Sequence, residues 1–229
     1  MRRLLIVALL LTACGGEESV DTTAIETATA AAASGATSAA PATNTAAQPA
    51  AGAVVVRDAA GAEVVSIRED GGTATITYTV DGEKHVLQGT PRESGKRKYR
   101  IDQSAVMFEV KPGDSGFKLR MADGTLRWKV KITADKTKIS DNEENKNPYE
   151  LKVRDGGARV KVVAPGDREL GRVELDRAAS KTVVEDAAGK QAFRIEGAPP
   201  AGGYGVLLLD AIPPPQRYIL LAELISRAQ

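Results

Sequence analysis

Cysteine and histidine are almost missing: the 229 residues contain one of each, Cys14 and His85. That inventory excludes a disulfide framework, a Cys/His zinc site, an iron–sulfur cluster and a Cys–His nucleophilic pair. Aromatic residues are scarce, with one Trp, five Tyr and three Phe, and hydrophobic types reach only 42%. Part of the chain therefore need not belong to a packed core. No apolar run is long enough to cross a bilayer; Leu4 to Leu11, at eight residues, supplies about half of what a span needs.

That short run is instead the centre of an export signal. Arg2 and Arg3 precede it as a positive n-region, and Leu11-Thr12-Ala13-Cys14 closes it with a small-residue processing site. The ending resembles the lipobox of bacterial lipoproteins, which implies that residues 1–13 are a signal peptide and that Cys14 becomes the acylated first residue of the mature chain. The alternative is an ordinary secretory signal with an incidental thiol, which would be an oxidation liability outside the cell. Several acyl chains at about 0.8 kcal/mol per buried CH2 make such an anchor effectively permanent. Gly15 and Gly16 follow, with no Asp at the second mature position. By resemblance, this sorts the protein to the outer membrane, facing the periplasm or the cell surface, if the host is diderm.

From Gly15 to Ala53 the composition changes to Ala, Thr, Ser and Pro, with 15 alanines in 39 positions. Pro41, Pro49 and the Ser, Thr and Gly interruptions prevent a long helix, and no apolar stripe exists to dock one. Residues 14–53 therefore read as the lipidated cysteine and a disordered tether, which would reach roughly 130 Å if extended. It serves either as a leash through cell-wall polymer or as filler with no length requirement.

Residues 54–229 are expected to be one domain. Setting aside Arg2, Arg3 and the tether acids Glu17, Glu18, Asp21 and Glu26 leaves 29 basic and 26 acidic groups of the chain's 31 and 30. Such near-balance argues against a nucleic-acid partner. The dominant signal is strand, turn, strand. Thr75, Thr77 and Thr79 alternate with Ala74, Ile76, Tyr78 and Val80. Phe117, Leu119 and Met121 alternate with Lys118 and Arg120, and Leu126, Trp128, Val130 and Ile132 with Arg127, Lys129 and Lys131. Asp81-Gly82, Asp123-Gly124 and Asp155-Gly156 supply turn chemistry between such runs.

Two echoes recur. Phe117, Leu119, Asp123-Gly124 and Val130 coincide at an offset of 32 with Tyr149, Leu151, Asp155-Gly156 and Val162. Asp58-Ala59-Ala60-Gly61 reappears as Asp186-Ala187-Ala188-Gly189, each followed six residues after its Gly by an Ile, Ile67 and Ile195. Repeated hairpins close most simply into a barrel or sandwich. Tyr204 to Leu209 reads as a final apolar strand, ended by Pro213-Pro214-Pro215. Residues 216–227 read as a helix that is apolar nearly all round, from Tyr218 to Ile225. At about 18 Å it is too short for a bilayer and carries Glu223 in its middle, so the inside of a barrel suits it better. The expectation is a mostly β protein, an antiparallel closed barrel of about 10 to 12 strands with a buried C-terminal helix.

Alternating strands with Asp-Gly or Asp-x-x-Gly turns, followed by one apolar helix at the C-terminus, resemble the tubby-like superfamily, in its LURP-one-related and phospholipid-scramblase branches. The likeness rests on Val55 to Gly61, the Phe117 to Val130 hairpin and Gly205 to Leu224, and spans about residues 54 to 229. It implies a twelve-stranded barrel around a hydrophobic helix. The chain lacks the cysteine-rich stretch of the eukaryotic branches, so scrambling and transcriptional roles do not carry over. Some members bind anionic lipid headgroups, and that is the one functional hint the resemblance implies here.

No catalytic constellation is visible. There is no Gly-x-Ser-x-Gly elbow, His85 has no identifiable nucleophile, Gly95-Lys96 lacks the rest of a phosphate loop, and Gly203-Tyr204-Gly205 lacks a dinucleotide fingerprint. No cofactor is implied. The run Asp141, Asn142, Glu143, Glu144 and Asn145 has oxygen ligands suited to calcium but Lys146 and Lys152 at the EF-hand Gly and Glu positions, leaving an irregular site or a solvated loop. The basic residues Arg97, Lys98 and Arg100, and the strand face Arg127, Lys129 and Lys131, are the candidate ligand-binding groups. They read as either solubilising charge or a site for an anionic lipid headgroup or wall-polymer carboxylate. The expected protein is a non-enzymatic envelope lipoprotein, monomeric and membrane-held through its lipid, that binds a protein, polymer or anionic lipid. The other class is a carboxylate-dependent hydrolase of envelope polysaccharide. Metabolic labelling with palmitate is expected to mark the wild-type chain and to leave Cys14→Ser unlabelled; label retained in the variant would remove the anchor.

Overall fold

The computed structural model describes residues 52–178, 180–197 and 201–228, all within one compact unit. The expected signal peptide, Cys14 and the tether through Ala51 lie outside the described residues. Fourteen strands follow in order: β1 (Ala53–Asp58), β2 (Glu63–Asp70), β3 (Thr73–Val80), β4 (Glu83–Pro91), β5 (Arg97–Ile101), β6 (Val106–Gly113), β7 (Gly116–Met121), β8 (Leu126–Ile132), β9 (Lys136–Ser140), β10 (Tyr149–Arg154), β11 (Arg159–Val163), β12 (Glu169–Asp176), β13 (Lys181–Asp186) and β14 (Gln191–Glu196). Each pairs antiparallel with its chain neighbours, and β1 closes against β14, so the sheet is a closed meander without a free edge. The first strand begins at Ala53, one residue before the expected boundary.

The barrel thus has more strands than the ten to twelve expected. The sequences of β5, Arg-Lys-Tyr-Arg-Ile, and β9, Lys-Thr-Lys-Ile-Ser, hide the reason. Each carries few large apolar side chains, so alternation is weak, yet Tyr99 and Ile139 are fully buried on the inner face.

Turn chemistry sets the register. Asp81 and Gly82 both have positive φ (52° and 82°), the two-residue primed turn their sequence predicts. The Asp-Ala-Ala-Gly echo is one turn built twice. Asp58 Oδ1 accepts the amides of Ala60 and Ala62, and Asp186 Oδ1 those of Ala188 and Lys190, all at 2.9 Å. In both, Gly61 or Gly189 takes the left-handed third position, and a register shift follows in the flanking ladder. The echo at offset 32 is looser. Phe117 pairs with Val130, but Leu151, not Tyr149, pairs with Val162. Asp155, Gly156 and Gly157 form a 3-10 turn where Asp123-Gly124 sits in a three-residue loop, so pairing slips by two while the inner face is kept.

The lumen is filled. Tyr204 to Leu209, expected as a strand, is instead mostly a 3-10 helix, Gly202–Leu208, with Tyr204, Gly205, Val206 and Leu207 buried. A continuous apolar run cannot report its period when every side of it is covered. A Cβ on Gly205 would lie 2.8 Å from a Val162 methyl carbon, so only glycine allows this approach to the β11 wall. The C-terminal helix α1 (Pro214–Ser226) starts two residues before the expected 216; Pro at its first turn has no amide to waste. Eight consecutive residues, Tyr218 to Ile225, are buried, as an all-round apolar helix requires.

One charge goes inside with it. Glu223 Oε1 accepts from Arg97 Nη1 at 2.9 Å and from the Tyr99 hydroxyl at 2.8 Å, and Oε2 accepts from Arg227 Nη2 at 3.2 Å. Arg97 also donates to Glu69 at 2.7 Å. Burial works against the Arg97 charge, but Tyr99 and Glu223 outweigh it and push its pKa up; burial likewise drives the Tyr99 phenol far above its usual value. Glu223→Ala leaves Arg97 with Glu69 alone and the buried Tyr99 hydroxyl without its acceptor, and is expected to cost about 3 kcal/mol, the low end for a broken buried pair. The pair Arg97→Met/Glu223→Leu should cost far less, because Glu69 is partly exposed to water and no buried charge is left alone. Urea unfolding of the full chain measures both. A Glu223→Ala change within about 0.5 kcal/mol, the range of surface substitutions, would show that the network holds nothing.

Candidate anion-binding face

With inward positions given to the core, the alternate residues of β6 to β12 form the outer wall, and cations meet across it. Lys111 lies opposite Lys118, which lies opposite Lys129; Lys131 lies opposite Lys138; Lys136, Lys152, Lys161 and Arg172 form another row. Like charges directly opposite are destabilising, so these rows are no optimum for the sheet by itself.

Carboxylates offset part of the repulsion. Glu143, in the loop between β9 and β10, folds back over β7 and β8. It lies 2.7 Å from Lys118 Nζ and 2.6 Å from Arg120 Nη2, and its backbone carbonyl accepts from Lys129. The Lys118 hydrogen bond, followed by the Lys118 charge and Arg120, holds the Glu143 carboxyl below the usual range. Glu150 is shared by Lys152 at 2.8 Å and Lys138 at 3.4 Å. In the Asp141 to Asn145 loop, the candidate for calcium, Asp141, Asn142 and Asn145 bond within the β9–β10 segment while Glu143 turns to β7 and β8. Asn142 Nδ2 donates to Asp141 and Lys146, its Oδ1 accepts from the Lys146 amide, and Ser140 donates to Asn145. Among the described residues no group of three or more His, Cys, Asp or Glu is placed to hold a metal ion.

The six candidate ligand-binding residues separate. Arg97 points inward, 13% exposed, onto Glu223 and Glu69, so it leaves the surface set; even spacing along β5 could not reveal that its inward neighbour would be a carboxylate. Lys98 and Arg100 face outward, Lys98 opposite Glu109, beside an open cleft of about 680 Å³ that Glu93 and Glu109 also line. Lys129 is occupied by the Glu143 carbonyl. Arg127 and Lys131 form no ion pair among the described residues, though the Arg127 charge acts on the Asp123 carboxylate of the β7–β8 turn. Lys131 opens instead onto a cavity of about 170 Å³ lined by Thr133, Lys136, Lys138 and Asn145, with no acid in its wall. Sequence reasoning missed Lys136 and Lys138, and read Asn145 only as an oxygen ligand for calcium. The signal was the Lys-Thr-Lys-Ile alternation after the Ile132 strand, which puts both lysines on the wet face.

His85 sits at the barrel wall with Nδ1 2.9 Å from Asp102 Oδ2 and its ring 5.3 Å from that of Tyr78. The His85 hydrogen bond, then the Val86 amide, lowers the Asp102 pKa; burial first, then Asp102, pushes the Tyr78 phenol up to about 12. This ties the β4 edge to the turn after β5. No protein-family model, no curated protein and no solved structure matches the chain.

The depressed Glu143 carboxyl makes loop docking acid-sensitive. A group whose pKa falls on folding contributes fully above the unfolded glutamate value of about 4.3 and loses that contribution as pH drops through its lower folded value. A carboxyl carbon-13 titration is expected to place the Glu143 midpoint below a free glutamate and to move it upward in Lys118→Ala. An unchanged midpoint would mean that the Lys118 contact is not formed in solution.

Proposed function

We propose that this chain is a non-enzymatic lipoprotein of the bacterial envelope, held to a membrane through Cys14 and displaying a barrel whose outer basic face binds an anionic envelope component. The observation that carries the reading is the division of labour between the two faces of the sheet. The lumen, where a deep substrate cleft would lie, is filled by α1 and the 3-10 helix, and its carboxylate Glu223 is consumed by Arg97, Tyr99 and Arg227. What remains available is the outer wall, where Arg127 and Lys131 form no ion pair among the described residues and like-charged rows cross several strands. No helix among the described residues is long and apolar enough to span a membrane. Attachment through the lipid at Cys14 is part of this reading.

The plan of a closed antiparallel barrel around a C-terminal helix supports kinship with the tubby-like superfamily, and its fourteen strands, against the twelve of that family, count against a close one. Headgroup binding is the property that such kinship would bring. Outer-membrane placement in a diderm host and a monomeric state belong to the same proposal.

Each cation near an anionic surface contributes about 1 kcal/mol. In Cys14→Ser background, which cannot be acylated, Arg127→Gln/Lys131→Gln is expected to weaken binding to anionic vesicles by roughly 30-fold, with no change on zwitterionic vesicles. Flotation of the two proteins at matched salt is the measurement. Equal recovery on anionic vesicles would remove the basic face from the function.

A further inference from the structure

We infer that the cavity between β8 and β9 is a phosphate cup: Lys131, Lys136, Lys138 and Asn145 together bind one terminal phosphate, a phosphomonoester or free phosphate. This rests on the anionic-partner reading and names the ligand group. The residues come from two adjacent strands and one loop. Lys131 and Lys138 are direct cross-strand partners, which places two ammonium stems side by side on the wet face. Lys136 begins β9, and Asn145 arrives from the β9–β10 loop.

Three features distinguish this cavity from the rest of the basic wall. First, the cations around Glu143 already have their anion, whereas no carboxylate lines the cup. The acids nearest to its lysines are loosely engaged: Asp135 is 3.9 Å from Lys136, and Glu150 is 3.4 Å from Lys138 while held more closely by Lys152 at 2.8 Å. Each ammonium has three protons to donate, so capacity remains.

Second, Asn145 in the cup wall keeps a donor for an anion. Its Oδ1 accepts the Ser140 hydroxyl at 2.7 Å, which commits the acceptor end and leaves the NH2 as donor. Thr133, by contrast, gives its single hydroxyl proton to Asp135 or to the Lys136 carbonyl, and contributes only wall.

Third, size and charge select the ligand. At about 170 Å³ the cavity falls below the roughly 300–1,000 Å³ of sites that enclose a drug-sized molecule, so it takes one oxyanion group and leaves the rest of the ligand outside. Three lysines lining one small cavity favour a terminal phosphate, which carries about −1.5 to −2 at neutral pH, over a singly charged carboxylate or phosphodiester. Lysine suits this task as a compact point charge. Occupancy would also relieve the Lys131–Lys138 opposition that the sheet otherwise bears.

The test is calorimetric titration of the full chain in detergent with inorganic phosphate at matched ionic strength, acetate serving as the monoanion control. Saturable one-site binding of phosphate, with acetate binding much more weakly, is expected. Lys131→Gln should weaken it at least about tenfold, since a hydrogen bond to a charged group is lost. Asn145→Asp, a change at a half-buried loop position that keeps the shape and the acceptor for Ser140 but adds a negative charge to the cup, should abolish it while the circular dichroism spectrum and unfolding midpoint stay as in wild type. A sugar phosphate in solution and vesicles carrying phosphatidate, set against phosphatidylglycerol vesicles of equal surface charge, separate a soluble or polymer-borne phosphate from a lipid headgroup. Absence of saturable phosphate binding, equal affinity for acetate, or unchanged affinity in both variants overturns the cup. If anionic vesicles still bind in that event, the basic face survives without it; if they do not, both readings fall.

Discussion

An all-round apolar helix inside a ring of strands is the constraint on which the molecule depends. Tyr218 to Ile225 leave no side of α1 that water could cover, so the helix is stable only where the barrel surrounds it. The converse holds too, since the inner faces of the strands have no other partner of that size. Glu223 fixes where the helix stops along the axis. Its carboxylate meets Arg97 and Tyr99 from β5 on one side and Arg227 from the helix end on the other. Replacing such a buried pair by apolar groups often costs nothing, so its value lies in position rather than stability. A shift of α1 by one residue would swing the carboxylate about 100° around the helix axis, into aliphatic wall and away from Arg97.

Filling the lumen moves chemistry to the exterior. The outer wall carries cations opposite cations, which a sheet selected for stability alone would avoid. Glu143 answers this on β7 and β8 by bringing the β9–β10 loop back across Lys118 and Arg120. One step further along, at Lys131 and Lys138, the only anion within reach is Glu150, 3.4 Å from Lys138 and shared with Lys152, and Lys131 has none among the described residues. The same loop thus closes one basic patch with Glu143 and borders the next with Asn145, two residues later.

Much of this was readable before any coordinates, and the limits have physical causes. Strand periodicity placed β3 and β8 at their observed ends, and the Asp-Ala-Ala-Gly echo announced two copies of one turn, because the carboxylate that accepts two amides and the left-handed glycine are both local requirements. The buried helix was legible for the same reason: residue type all round a helix reports burial all round. Strands β5 and β9 were not, since Arg97 spends an inward position on a partner 126 residues away. The Gly202–Leu208 segment was misread because an unbroken apolar stretch has no period to show. The cup escaped notice because it needs β9 to be a strand before Lys136 and Lys138 can join Lys131.

Strand number and luminal content are coupled, and composition decides how the coupling is met. Barrel diameter grows with the number of strands, so fourteen enclose more space than one helix occupies. Large aromatic side chains would be the direct way to fill the difference, but the chain has one Trp, five Tyr and three Phe in total. A second backbone segment does it instead. The 3-10 helix Gly202–Leu208 lies beside α1, and its glycines let it press against Val160 and Val162 of β11 and against Leu224 of α1, where any Cβ would collide. Gly171 meets it from β12: with φ at 146°, a side chain there would run into the Glu185 carbonyl and the Leu208 methyl group. The expected barrel of ten to twelve strands had one luminal segment, because Tyr204 to Leu209 reads as a strand rather than as a second one. The two luminal segments together account for the wider ring, and the Gly-Gly-Tyr-Gly stretch between the last strand and the helix is where the sequence records it.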